Sequence, residues 1–220
     1  MTPSTSEGWQ LTAQNRWLLV LFALSPLVYV PFANWMAIVR HGTSLFLWGQ
    51  AIYGAALVAA VLTLPVALVS LVFRRTRRKA FLGLSLSVLF LICCTAGIVM
   101  GERIRMSGMA GATERARPLV TAIERYERDR GEPPPALEVL VPEFLSAIPS
   151  TGLGAYPEFD YFVGEKAEQR FAGNPWVLSI FTPSGGINFD QMLYFPRSNY
   201  ADWEHGNAVE RVVAWGYHHE

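Results

Sequence analysis

The chain has 220 residues, of which 51% are hydrophobic and 16% are charged, and its formal net charge at pH 7 is zero. Soluble domains carry about 25% charged residues, whereas here apolar residues crowd the first hundred positions and most acids and bases follow them. This asymmetry predicts a membrane half followed by a water-soluble half. The zero net charge removes any general electrostatic case for binding nucleic acid.

Three uncharged apolar stretches are long enough to cross a membrane, which takes about 20 residues. In chain order they cover residues 17–39, 45–73 and 81–101, and residues 1–16 are expected to form a cytoplasmic tail. The first stretch is too long, and too far from a small-residue cleavage site, to be a simple signal peptide. Pro26 and Pro31 should kink it, because each removes a backbone donor. The prediction is an anchor of three transmembrane helices.

Small residues recur at a spacing of four on the second and third spans, in the pairs Ala55/Ala59, Ala56/Ala60 and Gly97/Gly101. Such pairs let helix backbones approach closely. They indicate either packing of the three spans against each other or a docking face for a partner's helix. Cys93 and Cys94, the only cysteines, lie inside the third span, where we expect them to behave as small hydrophobic residues.

The loop between the second and third spans is strongly basic, with Arg74, Arg75, Arg77, Arg78 and Lys79. Such a loop is typically cytoplasmic, which puts the N-terminus inside and everything after Gly101 outside. The bias is not one-sided, because four more arginines follow the third span: Arg103, Arg105, Arg115 and Arg117.

The water-soluble half begins with a helical pattern. Its apolar positions recur at steps of three and four, at Ala112, Ala116, Leu119, Val120, Ile123 and Tyr126, which predicts one buried stripe. We expect a linker over residues 102–117 and a helix that starts with Pro118 in its first turn. Gly131 and the prolines at 133–135 should end it, and a short second helix is predicted for residues 137–147.

After Pro149 the apolar period changes to two, which is typical of strands. The alternating stretches are 159–163, 176–180, 192–194 and 209–217, separated by turn residues rich in Gly, Pro, Asn and Ser. Short connections favour an antiparallel meander, and the alternation suits a sheet with one face under the helix and one face wet. The predicted fold class is therefore an α-helical membrane anchor plus an α+β soluble domain over residues 118–220.

One part of this half resembles a known family. The residues are Leu119-Val120-x-Ala122-Ile123-x-x-Tyr126-x-x-Asp129-x-Gly131, then Pro133, Leu140-Val141-Pro142-x-x-Leu145 and Ile148-Pro149. This pattern resembles the globular half of type IV pilin-like proteins, and most of all the major pseudopilin of type II secretion. The resemblance covers roughly residue 81 onward. It implies a helix packed on a small antiparallel sheet, located in the periplasm of a bacterium.

The chain also departs from that family. Pilins have a Glu at the fifth mature position, where counting from Phe81 gives Ser85, and two further spans precede it. Gly101, Ser107, Gly108 and Gly111 suggest a hinge where pilins have continuous helix. The resemblance therefore implies a pilin-type domain held permanently on a membrane anchor, because three spans would keep it from leaving the bilayer to form a filament.

No residue pattern predicts a catalytic, cofactor or metal site. Major pseudopilins bind calcium through their sheet loops, but the acids in the comparable region, Asp190, Asp202 and Glu204, lack convincing ligand spacing. His218-His219-Glu220 is poorly built for one ion, because adjacent strand residues point to opposite faces. We expect His41 to be a polar loop residue at a membrane interface and Ser184-Gly185-Gly186 to be a turn.

These features predict a non-catalytic accessory subunit of a larger bacterial inner-membrane complex. Its partners would be other membrane subunits, contacted through the spans and the periplasmic domain, and lipids. The host could be an energy-transducing complex, photosynthetic or respiratory, or a secretion or pilus platform. The alternative is a periplasmic binding or adaptor module related to type II secretion or type IV pilus systems. An enzyme is the third class, for which the sequence offers no reaction.

Overall fold

The structure is a computed structural model and describes residues 13–185 and 188–219. The predicted tail over residues 1–16 lies outside this range up to residue 12. The chain divides into two compact units that alternate along the sequence. We call residues 1–30 and 52–99 the helical unit, and residues 31–51 and 100–220 the sheet unit.

The first predicted span is two helices, α1 (Ala13–Leu24) and α2 (Pro26–Ile38), with a bend of 41° between them. The break falls at Ser25 because Pro26 has no N–H to continue the ladder, whereas Pro31 is accommodated inside α2. The Ser25 hydroxyl donates to the Phe22 carbonyl (2.8 Å) and accepts from the Tyr53 hydroxyl (3.0 Å). The break is thus provided with side-chain hydrogen bonds, as backbone inside a membrane span would require.

The second and third predicted spans are present as helices, but their bounds differ from the prediction. The second is α3 (Leu45–Trp48) and α4 (Gln50–Ser70), and the third lies within α5 (Arg77–Arg130). Within the described residues, two helices are long and apolar enough to cross a membrane, and the number rises to three if the bent pair is one span. The prediction of three separate spans is therefore supported only in part.

The segment predicted as a linker over residues 102–117 is helical, and the predicted hinge in it is wrong, because α5 is one unbroken helix of 54 residues. Pro118 lies inside it rather than in the first turn of a new helix. Gly108 serves packing instead of bending, because a Cβ built on it would lie 2.5 Å from the Ile38 side chain. Glycine here lets α2 and α5 approach, as small residues do between membrane helices.

The helical unit has a small apolar core of Ala23, Phe90 and Cys94, with Ala56 and Ala60 packed against it. A Cβ on Gly97 would lie 2.4 Å from the Pro26 carbonyl oxygen. These small residues therefore pack the spans of this chain against each other, as one of the two sequence interpretations expected. Ala55 and Ala59, in contrast, are exposed.

After α5 the predicted helix over 137–147 is also wrong. Only Leu137–Leu140 is helical, as one 3₁₀ turn, and turns follow it. The reason is Pro142, which pushes the preceding residue out of the helical region; Val141 is extended, with φ −99° and ψ 133°.

The sheet unit contains five antiparallel strands in the spatial order β1-β2-β3-β5-β4. They are β1 (Asp160–Val163), β2 (Trp176–Phe181), β3 (Gln191–Tyr194), β4 (Val209–Val212) and β5 (Trp215–His218), with a short helix, α6 (Glu165–Arg170), after β1. The first three strands form the predicted meander. The stretch 209–217, predicted as one strand, is a hairpin that reverses at Val213, whose φ is 59°, and its second strand pairs with β3.

The sheet does not have the wet face that its alternation suggested. Five of the six residues of β2 are buried, on both faces. One face bonds to α5: the Trp176 Nε1–H donates to Glu127 (3.0 Å) and the Tyr194 hydroxyl to Glu124 (3.2 Å). The other face is covered by a second core built from Phe171, Val177, Leu193, Phe195, Tyr200 and Trp203. The loops beyond α6 and β3 thus supply a third layer.

Candidate functional site

The most concentrated polar chemistry of the described residues surrounds Arg105. This arginine follows the third predicted span by four residues and lies in phase with the buried stripe of α5, since Met109, Ala112 and Ala116 continue its face at steps of four and three. It is 1% exposed. A fully buried arginine is rare unless it is paired, so its surroundings decide what it does.

Arg105 joins α5 to three separate segments of the sheet unit. Its guanidinium donates to the Tyr217 hydroxyl through Nε (3.0 Å) and Nη2 (2.6 Å), to the Tyr156 hydroxyl (3.4 Å) and to the Thr182 carbonyl. The Asp190 carboxylate lies 3.5 Å from Nη2. We call these five residues the Arg105 cluster.

Each tyrosine hydroxyl accepts a hydrogen bond from Arg105 and donates one to a further acceptor. The Tyr217 hydroxyl accepts from Arg105 and donates to the Asp190 carboxylate (3.0 Å), and the Tyr156 hydroxyl donates to the Pro183 carbonyl (2.5 Å). Burial raises the pKa of both phenols, although the nearby guanidinium opposes the rise. Both tyrosines therefore remain protonated donors at neutral pH, and the one positive charge of Arg105 faces the one negative charge of Asp190.

A second contact connects α5 to the loop formed by residues 151–156, which we call the 151–156 loop. The Arg115 Nε–H donates to the Thr151 carbonyl (2.5 Å). The same loop bonds to the end of α2 through its backbone, from Ala155 N to the Ala37 carbonyl (3.0 Å) and from Gly154 N to the Val39 carbonyl (3.1 Å). Because Tyr156 belongs to both features, the loop links the Arg105 cluster to α2.

Chemically, this arrangement suits holding elements together. Arg105 carries a permanent charge and directs up to five donors in a fixed plane. Buried charge pairs are costly to break, because removing one partner leaves the other uncompensated. The cluster thus positions the sheet on α5 close to the point where the apolar span ends.

Asp190, one of the acids considered for calcium, is part of this cluster. Its carboxylate accepts from the Asn188 amide (3.0 Å). The Arg105 guanidinium, 3.5 Å away, already supplies the positive charge that a bound calcium ion would otherwise provide. Asp202 and Glu204 are exposed, and Glu204 pairs with His205 at 3.1 Å. The three acids are not brought together. Among the described residues, no group of three or more His, Cys, Asp or Glu is arranged to hold a metal ion.

The other residues singled out in the sequence have ordinary environments. His218 is buried and its ring lies 5.1 Å from Trp203 and 5.0 Å from His205, while His219 is exposed beside Glu210 (3.4 Å). The third member of that motif, Glu220, lies outside the described residues. His41 is an exposed turn residue. Ser184 is held by Asn188, whose side-chain oxygen accepts from the Ser184 N–H (2.8 Å).

Sequence reasoning missed Arg105 and Tyr156. The signal for Arg105 was present, since a lone arginine in phase with an apolar stripe is expected to be buried and paired. By composition alone, Arg105 counts only as one of the four arginines that follow the third span and weigh against the orientation. Tyr156 had no such signal, because its role depends on where an irregular loop returns to the helix.

Comparison with protein-family models, with curated proteins and with solved structures finds no match to this chain. The class that can be stated is therefore a coarse one: a protein with long apolar helices suited to a membrane and a small antiparallel α+β unit.

Proposed function

We propose that this protein is a non-catalytic accessory subunit of a larger bacterial inner-membrane complex. Its helices would span the membrane three times, counting α1 and α2 as one bent span, and its sheet unit would dock on partner subunits in the periplasm. The single observation that carries the proposal is the Arg105 cluster, in which the buried polar groups are used to bind α5, the sheet and the 151–156 loop to one another. Such a cluster gives a rigid unit for docking.

The open face of α4 supports the membrane part of this proposal. Ala55 and Ala59 form a small-residue pair that is exposed, and Ile52, Val58 and Leu62 on the same helix are 64%, 59% and 69% exposed. Small-xxx-small faces allow close approach of another helix. This face is the surface of the anchor that we assign to a partner helix, whereas Ala56 and Ala60 pack within the chain.

We further propose that the sheet unit is a pilin-type domain that stays on its anchor. The support is the course of α5, which passes without a break from an apolar segment into a polar one that packs on an antiparallel sheet. At 1.5 Å per residue a helix of this length is about 80 Å long. The covered second face of the sheet and the additional spans distinguish this chain from a filament subunit.

The orientation belongs to the same proposal. The five basic residues between Arg74 and Lys79 lie between α4 and the apolar part of α5, and the positive-inside tendency places them in the cytoplasm. The sheet unit would then be periplasmic.

Gentle solubilisation followed by sizing and identification of co-purifying proteins tests the proposal. We expect a complex larger than the monomer. A photo-crosslinking amino acid at the exposed position Ala55 should join the chain to another protein, while the same amino acid at half-buried Ala56 should react within the chain. Migration as a lone monomer, with no crosslinked partner from Ala55, would refute the accessory role.

The alternative is a periplasmic adaptor that captures a ligand or a filament protein. A surface hollow of about 350 Å³ lined by Phe162, Lys166, Gln169 and Arg170 favours it, because it combines two cationic groups with an aromatic ring. Titration of the full chain with a purified pilin would then raise its melting temperature, and Lys166→Gln combined with Arg170→Gln should abolish that rise. No rise with the pilin would remove this alternative.

A further inference from the structure

An exposed aromatic surface adjoins the Arg105 cluster. Phe181 and Phe189 are 47% and 54% exposed, and their rings stack with centroids 6.4 Å apart. Together with Leu47, Trp48 and Pro183 they line a hollow of about 300 Å³, which we call the aromatic groove. None of its described lining residues is charged. An exposed apolar patch that contains large aromatic side chains is typical of a contact surface.

The groove is built directly on the beginning of a candidate membrane span. Leu47 and Trp48 belong to the span Leu45–Ser70, and the loop after β2 packs on them: a Cβ on Gly185 would lie 2.6 Å from the Leu47 carbonyl oxygen. Leu47 is buried in this contact, whereas Trp48 remains 63% exposed. The groove therefore includes the first turn of that candidate span.

The Arg105 cluster also shows how far along α5 the loop between β2 and β3 lies. Phe181 directly precedes Thr182, whose carbonyl accepts from Arg105, and Phe189 directly precedes Asp190, which pairs with Arg105. Arg105 follows the end of the apolar run at Gly101 by four residues, or about 6 Å of helix. The headgroup layer on each side of the hydrocarbon is about 5–8 Å thick. With the hydrocarbon boundary at Gly101, the two phenylalanines would lie at the level of that layer.

From these two observations we infer that the aromatic groove is a lipid-binding surface, in which Trp48, Phe181 and Phe189 insert into the boundary between headgroups and acyl chains. Aromatic rings are favoured at this boundary, and the absence of charge from the described lining suits it. The sheet unit would thereby be held against the bilayer at a fixed height. This inference depends on membrane anchoring and is independent of the proposed accessory role.

The test uses the full-length protein in nanodiscs, with one cysteine introduced at Phe189 and labelled with an environment-sensitive NBD fluorophore. The wild-type chain, carried through the same labelling, gives the background from the buried Cys93 and Cys94. The matched control is Val213→Cys, because Val213 is also an exposed apolar loop residue (65%). Val213 lies just before the Trp215 end of β5, where Val212 pairs with Trp215, whereas Gln191, two residues after Phe189, pairs with His218 at the other end. The three residue steps from Trp215 to His218 span about 10 Å.

We expect a blue-shifted emission from the label at 189 and quenching by doxyl-labelled lipids about twofold or more stronger than at 213, as for side chains inserted roughly 5–10 Å into the headgroup boundary. Water-like emission at 189 would overturn the inference. A blue shift without lipid quenching would also overturn it, because the label would then be buried against protein. Equal quenching at both positions would do the same. Phe181→Cys probes the same groove if Phe189→Cys fails to keep the wild-type melting temperature.

Discussion

Removing the carboxylate of Asp190 should destabilise the sheet unit more than any exposed charge does. The Asp190→Ala variant leaves Arg105 1% exposed with its counter-charge, at 3.5 Å in the wild type, deleted. Breaking a buried ion pair from one side costs about 3–5 kcal/mol. For a unit of this size that corresponds to a fall in melting temperature on the order of 10 °C.

Tryptophan fluorescence during heating of the full chain in detergent measures this effect, because Trp176, Trp203 and Trp215 are buried in the sheet unit. Asp129→Ala is the matched control. Asp129 also pairs with an arginine, Arg125, at 3.8 Å, but its side chain is 49% exposed, and exposed pairs contribute about 0–1 kcal/mol.

Two more variants separate charge from shape. Asp190→Asn keeps an acceptor for the Tyr217 hydroxyl but removes the charge, so it should cost less than Asp190→Ala. Arg105→Met combined with Asp190→Leu removes both charges and should cost less than the two single changes added together. The reasoning is refuted if Asp190→Ala lowers the melting temperature no more than Asp129→Ala does.

Three further predictions concern the anchor, the alkaline limit and the orientation. Gly97→Ala should lower the melting temperature, because its Cβ would lie 2.4 Å from the Pro26 carbonyl oxygen, whereas Gly83→Ala on the same helix meets nothing within 4 Å and should not; equal effects would contradict the packing. Burial, and then Glu124, raise the pKa of Tyr194 to about 12, so the folded state holds this proton more tightly than the unfolded chain, whose value is about 10. The contribution of this raised pKa to the free energy of unfolding is fully present below about pH 10 and is lost as the pH rises toward about 12. Tyr194→Phe should therefore reduce the fall in melting temperature over that pH range. An unchanged pH profile would contradict the burial of the Tyr194 hydroxyl beside Glu124. In spheroplasts, a membrane-impermeant maleimide should label Val139→Cys and not Arg75→Cys, and the reverse pattern would refute the proposed orientation.

Local patterns in the sequence were enough to locate most elements. The stripe from Ala112 to Ile123 is buried as predicted, because an amphipathic helix needs only its own period to specify the face that packs. The alternation at 176–180 is likewise a strand. In both cases the information lies within a few neighbouring residues.

What the tertiary structure decided depends on residues that are far apart. Glycines 101, 108 and 111 favour a hinge when read alone, yet α5 is helical through all three. At Gly108 the reason is visible, since the Ile38 side chain of α2 uses the space that a missing Cβ leaves. The stretch 209–217 reads as one strand, yet pairing of β5 with β3 requires the chain to reverse at Val213.

The candidate site shows the same division. The sequence by itself determined only that Arg105 follows an apolar span by four residues, in phase with the apolar stripe that continues at Ala112, and the predicted linker over residues 102–117 left it outside any helix. Only the fold decided that Asp190, Tyr217 and Tyr156, which are 85, 112 and 51 positions away in the chain, surround it. Partners at such separations are chosen by how loops return to the helix, and that depends on the packing of the whole unit rather than on any local pattern.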